Sequence, residues 1–209
     1  MSLLKKTWKF LWHSNSILSW IVDLILIFLI VKFIIFPFFS FALGTELPFV
    51  IIESGSLEHK INSYTSGIMP NICGLTFAES KSLKFDEYWQ FCKEWYENKN
   101  ISKEEFEKWN YINGLNKGDI IVVRGFETSK YKKGDIIIFR VADRKTPIIH
   151  RIIDVKTINN EVIFSTKGDH NEEQLSYEKE IREEQIIGKA VGRIPMLGWA
   201  KLFVFEMFG

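Results

Sequence analysis

The chain has 209 residues, 27 Lys and Arg against 26 Asp and Glu for a formal net charge of +1, 15% aromatic residues and only 2 Cys. That balance excludes a long disordered chain, which needs low hydrophobicity, and a binder of nucleic-acid duplexes, which usually carries a basic excess. Two Cys are too few for a disulfide-framework scaffold or a zinc site of thiolates alone.

The mean hydropathy lies near zero because two unlike parts are averaged. From Ile17 to Leu43 the run ILSWIVDLILIFLIVKFIIFPFFSFAL carries Asp23 and Lys32 as its only charges. At about 1.5 Å per residue a helix of this length crosses a bilayer core of roughly 30 Å. Lys5, Lys6 and Lys9 precede the run while Glu46 and Glu53 follow it. The positive-inside rule therefore predicts a single-pass protein of the cell membrane, with residues 1–16 in the cytoplasm and everything beyond Gly44 outside. Trp8, Trp12 and Trp20 fall where an interfacial aromatic belt would lie. A cleavable signal peptide ending near Ala42-Leu43-Gly44 is the competing reading, but its apolar core is normally about 7–15 residues, so an anchor at 17–43 is expected. Asp23 and Lys32 either mark a functional pathway or reach water near the ends, and Pro37 either kinks the helix or marks its outer end.

Beyond Gly44 the sequence turns charged and β-rich. Val50–Ile52, Asp119–Val123, Asp135–Phe139, Pro147–Val155, Glu161–Ser165 and Gln185–Arg193 read as short β-branched strands, and Lys-Gly-Asp-Ile-Ile occurs at both 117–121 and 133–137. The expectation is a mainly β extracytoplasmic domain over 44–57 and 116–198, a barrel or sandwich, with no Gly-rich phosphate loop opening a helix. Residues 58–115 interrupt it. Asp86 heads DEYWQFCKEWYENKN with Tyr88, Cys92 and Trp95 spaced for one helical face, and Ser102 to Glu105 forms a capping box ahead of Phe106 and Trp109. This predicts a helical insert whose Trp89, Trp95 and Trp109 either pack on themselves or grip a substrate or membrane surface. Cys73 and Cys92 flank it, as a pair or as buried thiols. The apolar segment 199–209 is too short for a second span and suits a membrane interface.

Topology leaves His59, His150 and His170 as candidate bases, since His13 falls in the cytoplasm. His150 lies in Pro-Ile-Ile-His-Arg-Ile-Ile, where strand alternation aims it at one defined face. Ser54-Gly55-Ser56 follows the anchor, and Thr166-Lys-Gly-Asp-His-Asn171 follows the strand after His150. A serine hydroxyl becomes a nucleophile only when a base takes its proton and donors await the oxyanion. Alone, each of these stretches reads as an ordinary turn or a structural strand histidine.

Their order carries more. An anchor, Ser-Gly-Ser, two Gly-Asp-Ile-Ile strands, a His-Arg strand, Lys-Gly-Asp-x-Asn and Gly-Lys-Ala-Val-Gly-Arg-Ile-Pro-x-Leu-Gly-Trp together resemble type I signal peptidase. The closer likeness is to the archaeal and endoplasmic-reticulum branch, which uses histidine where the bacterial branch uses lysine. The resemblance spans about Lys32 to Leu202 without most of the insert. It implies a serine endopeptidase that cleaves signal peptides from secreted preproteins and needs no metal or cofactor. Ser56 would be the nucleophile, His150 the general base, and Asp169 the acid that orients it, with Glu172 or Glu173 as fallback. Ser54 and Gly55 would serve the oxyanion and substrate. The implied partners are preproteins, the lipid bilayer and, in addition, translocation machinery or accessory subunits, with no nucleic acid. Leu57 stands where the family commonly has methionine and His59 where it has proline. Glu172-Glu173-Gln174-Leu175 occupies the stretch where endoplasmic-reticulum members carry a second aspartate. A non-catalytic β module binding partners through the aromatic insert, and a related serine peptidase with other substrates, are the alternatives.

Overall fold

The computed structural model describes residues 16–63, 68–142 and 144–208, and the chain divides after Pro48 into two units. In the first, one continuous helix, α1, runs Ile17–Leu43 and is long and apolar enough to cross a membrane. Ser16 starts it by accepting the Ser19 N–H at 3.1 Å, and Gly44 stops it in the left-handed region at φ 61. Pro37 neither ends nor breaks this helix. The turn Val31–Ile35 is π-helical, and the ring, which lacks an N–H, sits in the first turn of the α-helical stretch that follows. The Lys32 ammonium lies 5.7 and 5.4 Å from the rings of Phe28 and Phe33. Lys5, Lys6, Lys9, Trp8, Trp12 and His13 lie outside the described residues.

The second unit contains, in order, β1 (Phe49–Ile51), β2 (Lys60–Ile61), β3 (Asn71–Ile72), β4 (Leu75–Thr76), β5 (Lys81–Ser82), α2 (Phe85–Glu97) and α3 (Lys103–Phe106). It continues with β6 (Ile120–Arg124), β7 (Ile136–Phe139), β8 (Ile148–Ile158), β9 (Glu161–Lys167), β10 (Ile186–Ile194) and α4 (Trp199–Phe208). All six expected strands form. They make one antiparallel sheet in the order β1-β6-β10-β7-β8-β9, curled into a half-barrel with β1 and β9 as its end strands, and Ile181 bridges to Phe164 along the outer side of β9. Of the two forms the pattern allowed, a barrel or a sandwich, the mainly β fold is the barrel-like one, curled halfway round. The repeated Lys-Gly-Asp has a local cause. Asp119 and Asp135 each accept the N–H three residues back, at 2.8 and 3.0 Å, while Gly118 and Gly134 take φ 87 and 91, where a side chain would be strained.

The insert is more than helical. It also holds two short ribbons, β2 with β5 and β3 with β4, and it belongs to the same unit as the sheet. Buried Ile72, Tyr88, Trp89, Tyr96 and Phe106 form its core together with Ile153 of β8, so the insert packs onto the sheet rather than only on itself. Ser102 accepts the Glu105 N–H as the capping box predicted, although α3 is a single turn. Cys73 and Cys92 are disulfide-bonded, with Cα atoms 5.5 Å apart. A second core of Ile137, Phe139, Ile152, Phe164 and Ile181 is a separate cluster. The start of α4 is pinned to the sheet: Gly198 N–H donates to the Gly118 carbonyl at 2.9 Å, and Lys201 pairs with Glu53 at 3.2 Å.

Candidate active site

The chain leaves β1 at Ile51 and turns sharply through Ser54-Gly55-Ser56, where the Glu58 N–H closes back onto the Gly55 carbonyl at 2.9 Å. The turn exposes Ser54, leaves Ser56 half-buried and buries Leu57 and His59. The Ser56 hydroxyl then lies 2.9 Å from His150 Nε2 and 3.2 Å from the Ser54 hydroxyl. His150 stands on β8 opposite Ile137 of β7, 94 residues along the chain from Ser56. The sheet, not local sequence, brings the two together.

The other imidazole nitrogen, Nδ1, meets the carboxylate of Glu178. That carboxylate is fully buried and held on three sides. Oε1 also accepts the Thr166 hydroxyl at 3.2 Å, and Oε2 accepts the Leu175 N–H at 2.8 Å. Serine, imidazole and carboxylate therefore stand in line, each fixed by the next, as nucleophilic acyl transfer requires.

Asp169, expected to orient His150, does not face it. Its carboxylate takes the Arg151 guanidinium at 2.9 and 2.7 Å and His59 Nε2 at 3.1 Å. Neither Glu172 nor Glu173 supplies a carboxylate to His150; Glu178 does. The cause is the pleat: successive side chains on a strand point to opposite faces, so His150 and Arg151 look opposite ways. The same parity sends Thr166 of β9 toward Glu178 and its neighbour Lys167 toward the insert. Arg151 also donates to the carbonyls of Asn110, Gly134 and Tyr111 at 2.8, 3.1 and 3.0 Å, tying the insert to the sheet. Burial alone would raise the Asp169 carboxyl, but the Arg151 charge and hydrogen bonds from His59 and Arg151 outweigh it and hold the group well below the usual carboxylate range. Burial lowers His59, against the opposing pull of Asp169.

Gly168 lies between the two networks. A Cβ there would come within 2.8 Å of both His150 Nε2 and the Ser56 carbonyl, so only glycine lets this backbone close over the serine–histidine pair. The next residue adds a direct tie, as His170 N–H donates to the Ser56 carbonyl at 2.9 Å. Lys167 is buried, donates to the Gly168 carbonyl at 3.0 Å, and lies 4.9 and 5.2 Å from the rings of Trp95 and Tyr96. Burial pushes its ammonium down to about 8, partly offset by the charges of Asp169 and Glu178. Lys-Gly-Asp is thus a packing and positioning segment.

No known family model matches this chain, and no curated protein matches it in sequence. Among the described residues, no cluster of His, Cys, Asp and Glu is arranged to hold a metal ion. Neither Glu178 nor Thr166 stands out in the sequence as part of the network around His150. The spacing of Leu175 and Glu178, which lets the carboxylate return to the Leu175 N–H, is repeated by Arg182 and Gln185 at 3.0 Å, so that pattern alone does not select Glu178.

Proposed function

We propose that this chain is a membrane-anchored serine endopeptidase that removes N-terminal signal peptides from secreted preproteins through an acyl-enzyme. The observation that carries the reading is the 2.9 Å contact of the Ser56 hydroxyl with His150 Nε2, backed on Nδ1 by buried Glu178. In this mechanism His150 takes the Ser56 proton as the oxygen attacks the scissile carbonyl. The Ser54 hydroxyl and the Ser56 amide stabilise the oxyanion. The imidazolium then protonates the leaving amine, and water activated by the same histidine hydrolyses the ester. Glu178 fixes the tautomer with Nδ1 protonated and stabilises the imidazolium.

Three features favour a preprotein substrate. The order of motifs from the anchor to Trp199 resembles signal peptidase. The nucleophile follows the end of α1 by only about a dozen residues, which suits a substrate whose own apolar segment lies in the bilayer. Among the described residues β6 is the strand that β1 pairs with, so the outer edge at Val50 and Ile51 can receive an extended cleavage region by strand addition. In this reading α1 spans the cell membrane once with the N-terminus inside, α4 rests at the outer interface, and translocation machinery or accessory subunits deliver the preprotein. A non-catalytic β module would give Ser56 and His150 no reason to meet. A serine peptidase with other substrates would share the triad but reject a signal-peptide substrate.

The test is cleavage of a preprotein after a small-x-small site by the purified full chain in detergent. Ser56→Ala is expected to remove at least about 10³-fold of the rate, and His150→Lys is expected to lose activity as well, without restoring a serine–lysine dyad of the bacterial type. Full activity in Ser56→Ala would sink the proposal.

A further inference from the structure

The disulfide is wired to the nucleophile. Cys73 N–H donates to the His170 carbonyl at 2.9 Å, and His170 N–H donates to the Ser56 carbonyl at 2.9 Å, so two hydrogen bonds connect the bridge to the peptide of the serine. Cys73 Sγ also lies 3.5 Å from the Asp169 carbonyl. The other half of the bridge, Cys92, is on α2, whose Tyr88 hydroxyl donates to that same Asp169 carbonyl at 2.9 Å. Trp95 and Tyr96 of α2 flank the Lys167 ammonium. Two separate pieces of the insert, the turn between β3 and β4 and the helix α2, therefore clamp the segment from Lys167 to His170 from two sides, and the Cys73–Cys92 bond is the covalent tie between the clamps. The clamped segment is the one whose Gly168 closes over His150 Nε2 and the Ser56 carbonyl.

We propose that Cys73 is a positioning residue for Ser56, acting through His170, and that opening its bridge to Cys92 with a dithiol slows acyl transfer while leaving the fold in place. Only the activity readout of this proposal rests on the peptidase reading. Cys92 is buried and Cys73 is half-exposed, so attack falls on Cys73 Sγ. A thiolate of the dithiol bonds to that sulfur as the Sγ–Sγ bond breaks, and Cys92 leaves as a thiolate that takes up a proton. The second thiol of the reagent then closes on the first, releasing Cys73 as a thiol. The dithiol is oxidised to its disulfide, and the protein gains two electrons and two protons. The sequence holds 2 Cys, so the reagent has no other target.

The experiment treats the full chain in detergent with dithiothreitol, blocks the thiols with iodoacetamide in one arm and reoxidises in the other. The temperature is kept where circular dichroism shows an unchanged fold. Cleavage rates and amide hydrogen exchange at Gly168, Asp169 and His170 are then measured. The expected result is a kcat lower by about threefold to thirtyfold with a smaller change in KM, faster exchange at those amides, and recovery of both on reoxidation. Cys73→Ser with Cys92→Ser should match the reduced protein and ignore dithiothreitol; if it fails to fold, the alkylated wild-type chain takes its place. An oxidised protein that cleaves, with kcat and exchange both untouched by reduction, would overturn the positioning role and leave the peptidase reading standing. If the oxidised protein cleaves nothing, the peptidase reading falls and exchange alone decides: lost protection supports the clamp, and unchanged protection overturns it.

Discussion

Among the described residues His150 and His59 each touch a buried carboxylate, and the proposed function gives the two pairs opposite work. His150 with Glu178 ends in a half-buried serine hydroxyl, while His59 with Asp169 ends in an arginine and is buried where the insert meets the sheet. His59 lies flat on Tyr88 with ring centroids 3.5 Å apart, and no hydrogen-bond partner meets its Nδ1 among the described residues. Asp169 is neutralised by Arg151, whose guanidinium also collects three backbone carbonyls. A histidine–carboxylate contact is therefore not in itself a catalytic unit. What meets the far nitrogen, and whether a fixed cation already satisfies the carboxylate, separates a proton relay from a structural rivet.

That contrast can be broken from either side. The largest expected effect is on the relay: Glu178→Gln keeps the shape but lets His150 adopt the wrong tautomer, and kcat should fall by roughly 10³- to 10⁴-fold with little change in thermal midpoint. An unchanged kcat would remove Glu178 from the chemistry. Asp169→Asn should do the reverse. Breaking a buried ion pair leaves Arg151 uncompensated and costs about 3–5 kcal/mol in a urea titration, with stability lost ahead of chemistry. Gly168→Ala tests the seam between the two networks. Its methyl group would press on His150 Nε2 and the Ser56 carbonyl, and a displacement of that kind costs about 100-fold in kcat, measurable on the folded variant.

The smallest effect is on the pH dependence of stability. Burial holds His59 below its ordinary 6.5, so from 6.5 downward the unfolded chain takes up a proton that the folded chain refuses, and stability falls as the pH is lowered. Asp169 is held below 3.8, so its contribution is present above 3.8 and lost as the pH falls further. Urea midpoints at pH 7, 5 and 3 should therefore decrease in that order, and His59→Gln should flatten the first interval while leaving the second. Equal slopes in wild type and variant would show that His59 takes up its proton in the fold over the same pH range as in the unfolded chain.

The sequence was legible to unequal depths across these same regions. Ile120, Ile136 and Ile148 begin runs of β-branched residues that form strands wherever they can be half-buried, and all six were readable locally. Ser56 and His150 were nameable only through the order of motifs around them. Glu178 was not nameable: it sits in a run with Glu172, Glu173, Glu180, Glu183 and Glu184, and nothing within a few residues distinguishes it. The Lys-Gly-Asp motif makes Asp169 stand out in the sequence, yet its side chain belongs to the Arg151 face.

By itself the sequence determined what depends on neighbours: an apolar helix from Ile17 to Leu43, the strands, the paired Lys-Gly-Asp turns and the cap at Ser102. These follow from periodicity, backbone freedom and hydrogen bonds within three or four residues. Only the tertiary structure decided which carboxylate meets His150, how Gly168 closes over Ser56, and that the Cys73–Cys92 bond ties together the two pieces of the insert that hold that segment. Each depends on strand register and pleat parity, where a shift of one residue sends a side chain to the other face, and that choice is made by burying the whole sheet at once.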